Sequence, residues 1–269
     1  MTLIVEIKGS YVIIFMVIIM KIIHTFVILA YKESDDLEDC IKSVLKQSVK
    51  SNVVIATSTP NDYITDLASE YGIGVMVNDA PSNKGNDYNF ALSTFNTKLI
   101  TIVHQDDFYN RNYAKEVINC YKKNKDANLI FTDYYEIHKD TIVKHNWTLF
   151  KKRLMIWPLK YRFFQDKKHY KKRSLKYGQC FCTSSVTFVR DKSIKDFFPT
   201  DLTYYNDWQG FINFAKKDTR MVYLNKKLVG YRIYDKEINM DMINEKENIL
   251  KQFWNKRIID FLYRKYHNK

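Results

Sequence analysis

The sequence predicts an α/β protein: a mostly parallel sheet flanked by helices, followed by a basic helical extension at the C-terminus. Three observations carry this. Short apolar runs recur along the first half of the chain, each closing in a polar turn, as buried parallel strands do. Segments with apolar residues at helical spacing lie between those runs, and such alternation resolves into a parallel sheet with helices on both faces. The chain has 269 residues, 46% hydrophobic and 27% charged. That suits one large domain or two small ones with a sizeable core.

The elements follow in order. TFVILA over 25–30 reads as the first buried strand. Ser34 is an expected N-cap, with Asp35, Asp36 and Glu38 in the first turn, where carboxylates meet the positive helix end. Leu37, Ile41, Val44 and Leu45 recur at helical spacing. A second strand is expected over 53–56, then the turn TSTPND, a helix over 63–71 closed near Gly72, and a third strand over 75–77. A helix over 88–95 leads into LITIV over 99–103, which ends in HQDDFY at 104–109. A helix over 112–123 and a strand over 128–132 follow. The second half adds a strand over 181–189, a helix over 207–215 and a long amphipathic basic helix over 244–266. Ligands of such folds bind at the carboxyl ends of the strands.

Three regions are expected. Residues 1–21 form an apolar extension or possible anchor. Residues 22–240 form the main domain, with halves at about 22–135 and 136–240, and 241–269 form a basic C-terminal helix. The apolar run over 11–20 falls short of the roughly 20 residues a spanning helix needs, and Lys21, His24 and Thr25 interrupt its continuation. MKIIHTFVILAYKES, from Met20, reads as a complete N-terminus, which makes 1–19 an upstream extension. A short anchor and a cleaved signal peptide are the alternatives, the latter without a small-residue cleavage site.

Charge is uneven. Residues 1–150 carry 15 Lys/Arg and 18 Asp/Glu, whereas residues 151–269 carry 28 and 12, so the net +13 arises wholly in the second half. An anionic partner is implied: a membrane surface, a phosphate-bearing substrate or nucleic acid. Residues 151–177 hold eleven Lys/Arg against Asp166 alone, interleaved with aromatics. This reads either as a solvated face or as a segment lying on an anionic membrane. No nucleic-acid reader motif is present, so nucleic acid is not the expected partner. The four cysteines (Cys40, Cys120, Cys180, Cys182) have no zinc-ligand spacing and suggest no disulfide framework. A reducing cytosol is the default.

HQDDFY is the strongest chemical signal. Adjacent carboxylates at the end of a buried strand repel, and a divalent cation relieves them. Two solvated turn acids are the alternative reading. No G-x-G-x-x-G, G-x-x-x-x-G-K or G-x-S-x-G occurs, so dehydrogenase, P-loop and hydrolase-elbow readings lack their defining loops.

FVILAYKESDDLEDCIKSVLKQS, VVIATSTPND, NKGNDYNFAL and LITIVHQDDFY, in that order, resemble the nucleotide-sugar half of family-2 glycosyltransferases. The resemblance covers about residues 22–235. It implies the GT-A fold, inverting transfer from a nucleoside diphosphate sugar (a UDP-sugar foremost) and a divalent metal, Mn or Mg. Ala30, Tyr31, Lys32 and Glu33 then match the turn that holds the nucleoside. Thr57, Ser58 and Thr59 stand where the family usually has an acid. Gly85 and Asn89 match the family's glycine and the asparagine of its following helix, where glycine permits close backbone approach to a ligand. Asp106 matches the metal-binding acid, Asp107 the acid that follows it, and His104 replaces the first acid. Asn206-Asp207 resembles the acid pair of the acceptor side, with Asp207 at the position of the general base; Asn206 also reads as a plain helix N-cap. Arg232 resembles a basic residue that meets the diphosphate, with Lys236 a second candidate.

The reading that follows is transfer to a glycan or lipid-linked hydroxyl, in the cytoplasm at the inner face of the plasma membrane, within cell-surface polysaccharide synthesis. Two alternatives stay open. One is a non-catalytic binder of the same fold, in which the changes at His104 and Thr57 mark lost turnover. The other is a basic membrane- or nucleic-acid-binding protein.

Overall fold

The computed structural model describes residues 2–7, 10–15, 22–139, 141–191, 194–234 and 238–259. β1 (Thr2–Ile7) and β2 (Ser10–Phe15) form an antiparallel pair of their own. The main sheet begins with β3 (His24–Ala30), followed by α1 (Leu37–Leu45), β4 (Asn52–Thr57), α2 (Asp62–Glu70), β5 (Gly74–Val77), α3 (Lys84–Thr94) and β6 (Leu99–His104). β7 (Phe108–Tyr109), α4 (Tyr113–Lys123), β8 (Leu129–His138) and β9 (Thr141–Val143) come next. α5 (Trp147–Ile156), α6 (Lys168–Arg173), β10 (Val186–Val189), α7 (Asn206–Lys216), β11 (Met221–Ile233) and α8 (Met240–Leu250) complete the described elements.

The sheet runs β5-β4-β3-β6-β10-β8-β11-β7, with β9 alongside β8. Its first four strands are mutually parallel, as expected. The sheet as a whole is mixed, because β10 inserts antiparallel to both β6 and β8. β8 and β11 are parallel again.

β3 shows why both faces are covered. Phe26, Ile28 and Ala30 pack in one core with α1, α2 and α4, while Val27 packs in the other with α3 and α7. Side chains alternate across a strand, so a strand buried on both sides must be apolar throughout. Each fully buried Phe or Ile contributes about 1.5–3 kcal/mol.

Several boundaries depart from the sequence reading. α1 is not capped by the Ser34 side chain; Leu37 N–H donates to Ser34 O at 3.1 Å, and Asp36 holds the cap position without a side-chain bond. α3 starts at Lys84, four residues early, because Asn83 caps it through Gly85 N–H at 2.7 Å. The expected strand over 181–189 is reduced to β10, since Thr183–Ser185 form a 3₁₀ turn. Asn206 is not the N-cap: Tyr205 precedes the helix, and the Asn206 amide lies within α7. The helix expected over 244–266 breaks after Leu250, and Asn255 caps a new turn through Ile258 N–H at 3.1 Å. Residues beyond 259, and Lys236, lie outside the described residues. Among the described residues no helix is long and apolar enough to cross a membrane.

Candidate active site

The candidate residues gather where β3, β4 and β6 end. Ala30 closes β3 and is buried, whereas Tyr31 and Glu33 are exposed. Gln105 fixes this turn: its Oε1 accepts from Tyr31 N–H at 2.8 Å and its Nε2 donates to Tyr31 O at 3.1 Å. Lys32 takes a left-handed backbone, φ 55°, and its N–H donates to Thr59 Oγ1 at 2.7 Å. A non-glycine residue there is strained and persists only where its surroundings hold it. Thr57 is buried, and its hydroxyl accepts from Thr59 N–H at 3.0 Å. An acid of α3 reaches this turn. Asp87 accepts from Ser58 Oγ at 3.2 Å and from Asn78 Nδ2 at 2.8 Å.

Gly85 and Asn89 are placed differently from the expectation that they contact a ligand. A Cβ on Gly85 would lie 2.1 Å from Pro199 O. The Asn89 amide donates to Phe198 O at 2.8 Å and accepts from Phe198 N–H at 3.0 Å. The close approach that needs glycine is therefore made by the protein's own backbone. Both residues dock α3 on the segment that leads to α7.

His104, Asp106 and Asp107 offer ligand atoms that all lie within 4.8 Å of one another. Asp107 is buried, and burial, then the neighbouring Asp106, pushes its carboxyl well above the usual range. Its Oδ1 accepts from Arg232 N–H at 3.1 Å. Its Oδ2 is buried without a hydrogen bond and faces His104 Nδ1 at 3.7 Å. An orphaned carboxylate oxygen beside an imidazole nitrogen and a second carboxylate fits a hard divalent cation such as Mn or Mg. His104 Nε2 lies 2.7 Å from the Tyr88 hydroxyl. Were Nδ1 to ligate a cation, Nε2–H would be the donor to Tyr88, the partnership that orients a ligating histidine. The His104 main-chain N–H donates to Ser184 Oγ at 3.3 Å. Tyr88, Gln105 and Ser184 have no role assigned from the sequence; Gln105 lies within the motif, and the other two carry no local signal.

Arg232 closes the site from β11. Its Nε donates to Asp106 O at 3.1 Å, and its guanidinium pairs with Asp36 at 3.0 Å. Asp207, in the first turn of α7, accepts from Thr183 Oγ1 at 2.8 Å and from Trp208 N–H at 2.8 Å. After burial, the Asp207 charge is the leading cause that holds the Tyr88 phenol up, and Asp107 and Asp106 act on the same phenol. Tyr231 feels all three acids as well. The acid of α7 and the acids after β6 thus act on the same two phenols.

No curated protein sequence matches the chain. Among solved structures, S. aureus TarS residues 1–349 in complex with UDP-GlcNAc superposes with a TM-score of 0.62 at 14% identity, over 89% of this chain and 73% of that one. The Pyrobaculum calidifontis mannosyltransferase PcManGT, in complex with GDP-Man and Mn2+, gives 0.54 at 13% identity, over 76% of this chain and 55% of that one. At such identities the likeness is one of fold, and it is the GT-A fold. The profile of Glycosyl transferase family 2 matches residues 25–198, from the start of β3 into the segment that Gly85 and Asn89 grip. The chain accordingly belongs to glycosyl transferase family 2, and it is a nucleotide-sugar glycosyltransferase.

Proposed function

We propose that the protein transfers a sugar, with inversion, from a nucleoside diphosphate sugar to a hydroxyl of a glycan or lipid-linked acceptor in cell-surface polysaccharide synthesis. The observation that carries this reading is the cluster of His104, Asp106 and Asp107 at the end of β6, with ligand atoms within 4.8 Å of one another and Arg232 bonded beside it. Asp207 takes the acceptor proton as the new bond to the anomeric carbon forms. The bond from that carbon to the diphosphate oxygen breaks on the opposite side, so one displacement inverts the centre. The Thr183 hydroxyl and Trp208 N–H aim the Asp207 carboxylate. Asp106, Asp107 and His104 would hold a divalent cation, which supplies positive charge for the leaving diphosphate. The Tyr31–Glu33 turn and the Thr57–Thr59 turn hold the nucleoside, a uridine foremost. In support, TarS was solved with UDP-GlcNAc and the mannosyltransferase with GDP-Man and Mn2+. The working place is the cytoplasmic face of an anionic membrane, where a lipid-linked acceptor presents its head group to this basic protein.

The test is thermal unfolding against UDP, GDP, CDP and dTDP, each with manganese or magnesium. Ligand at 100 times its dissociation constant stabilises by about 2.7 kcal/mol. A metal-dependent rise with one of the four is expected, and no rise with any overturns the reading.

A further inference from the structure

Part of the charge of the basic segment 151–177 is taken up within the protein. Lys171 is buried, its ammonium bonded to the carbonyls of Lys217 and Thr219 at 2.8 and 2.6 Å. Arg153 pairs with Asp133 at 2.9 Å, Arg162 with Asp126 at 2.8 Å and Lys168 with Asp218 at 2.8 Å. The segment also presents apolar side chains. Trp147, Phe150 and Leu154 fall at i, i+3 and i+7 on the outer face of α5, and Trp157, Tyr161 and Phe163 continue beyond it. All six are between 48% and 72% exposed. The inner face of the same helix buries Leu149 and Ile156.

The outer residues form a stripe and are not scattered. The rings of Trp147 and Phe150 stack at 5.4 Å, and Trp157 meets Tyr161 edge-on at 5.5 Å. Contiguous exposed apolar surface of this kind marks an interaction site. Cations rim it: Lys151 lies over the Trp147 ring at 5.3 Å and Lys167 over Phe163 at 5.5 Å. No acid occurs between 141 and 165. Trp, Tyr and Phe beside Lys suit the headgroup layer of a bilayer, with rings at the acyl boundary and ammonium groups on lipid phosphates.

We propose that this stripe inserts into the interfacial layer of an anionic membrane, and that apolar insertion, more than the summed charge of 151–177, holds the protein there. The charge complementarity favours phospholipid over a protein partner. The cap of α5 ties the stripe to the sheet, since Asn146 donates to Glu136 Oε2 at 3.0 Å. Insertion does not rest on the proposed transfer reaction.

The test is cosedimentation of the full chain with vesicles of phosphatidylcholine, alone or mixed with phosphatidylglycerol. It compares the wild type, a Trp147→Ser/Phe150→Ser/Trp157→Ser variant and a Lys151→Gln/Lys160→Gln/Lys167→Gln variant. The serine variant should bind mixed vesicles about tenfold or more weakly, while the glutamine variant loses mainly its salt sensitivity. Wild-type Trp fluorescence should be quenched by lipids brominated near the headgroup. Absence of wild-type binding, equal binding by the serine variant, or unquenched fluorescence in bound protein overturns the proposal. So does a wild-type dimer that the serine variant dissolves without any vesicle binding. Metal-dependent UDP binding, measured on all three proteins, reports folding and tests the transferase reading separately.

Discussion

The main-chain N–H of Arg232 donates to Oδ1 of Asp107 across 125 residues of sequence, at 3.1 Å. The same residue reaches Asp106 O and Asp36 with its guanidinium. One strand residue therefore fixes the turn after β6, satisfies half of a buried carboxylate and neutralises an acid beside the β3 turn. The other half of that carboxylate is left for the cluster.

Asp106→Ala should remove the metal-dependent part of nucleotide binding. Isothermal titration of UDP with and without manganese reads this directly. The expected outcome is equal, weak affinity in both conditions; unchanged manganese dependence would move the ligand elsewhere.

Tyr88→Phe deletes the hydroxyl that lies 2.7 Å from His104 Nε2 and leaves the stacked ring in place. Partners of this kind are worth about 10–100-fold in metal affinity. Manganese titration followed by electron paramagnetic resonance should show a loss at the lower end of that range. Wild-type affinity would mean that His104 takes no part in holding the metal.

Asp207→Asn keeps the shape of the side chain, and its amide oxygen can still accept from Trp208 N–H while the Thr183 hydroxyl turns to accept. Turnover should fall by about 10²–10⁴-fold with donor affinity intact. Loss of both turnover and nucleotide binding would make Asp207 structural, and near-normal turnover would also exclude it as the base.

Gly85→Ala drives a methyl into Pro199 O, which would lie 2.1 Å away. Backbone cannot swing aside as a flexible side chain does, so a cost of about 1–3 kcal/mol or more is expected in urea unfolding. A neutral effect would show that the α3–Pro199 contact is loose.

His24 is fully buried between the hydroxyls of Ser51 and Thr101, and burial brings its pKa from 6.5 to about 3. A depressed histidine is neutral in the fold, while the unfolded chain takes up its proton below pH 6.5. Its contribution is thus complete above pH 6.5 and declines as pH falls toward 3. At pH 4.5 the decline is about 2–3 kcal/mol. Urea midpoints at pH 7.5 and 4.5 should show a smaller pH dependence for His24→Gln than for the wild type.

The alternating half of the fold was legible because TFVILA, VVIA and LITIV are apolar without interruption, and only strands covered on both faces need that. The second half was less so. The stretch over 181–189 looks like one strand, yet Cys182 O accepts the N–H and the hydroxyl of Ser185 and turns the chain. The long C-terminal helix was overextended because Asn255, a capping residue, was read as a helix-interior one. In the candidate site, Asp106, Asp107, Asp207 and Arg232 stand out by resemblance, and β11 brings Arg232 to Asp106 and Asp107. Tyr88 and Thr183 carry no local signal, and Asp36 reads only as a first-turn acid, because each acts through a partner at least 16 residues away. Gly85 was noticed for its missing side chain, but the neighbour that requires it, Pro199, lies far along the chain.

β11 has a consequence for how the protein is made. During synthesis the β3–β6 region emerges first and can pair locally, strand against neighbouring strand. The turn after β6 cannot be finished then, because the N–H that Asp107 needs belongs to a residue translated 125 positions later. β8 can pair with β9 and β10 before then, but its parallel partner is β11. Long-range parallel pairing is the slow part of folding, and here that slow step also delivers Arg232. A nascent chain halted before β11 holds the β3–β6 strands with Asp107 still lacking the donor that completes the turn. Ordered in time, the parallel half is laid down first, and the turn after β6 is completed with β11.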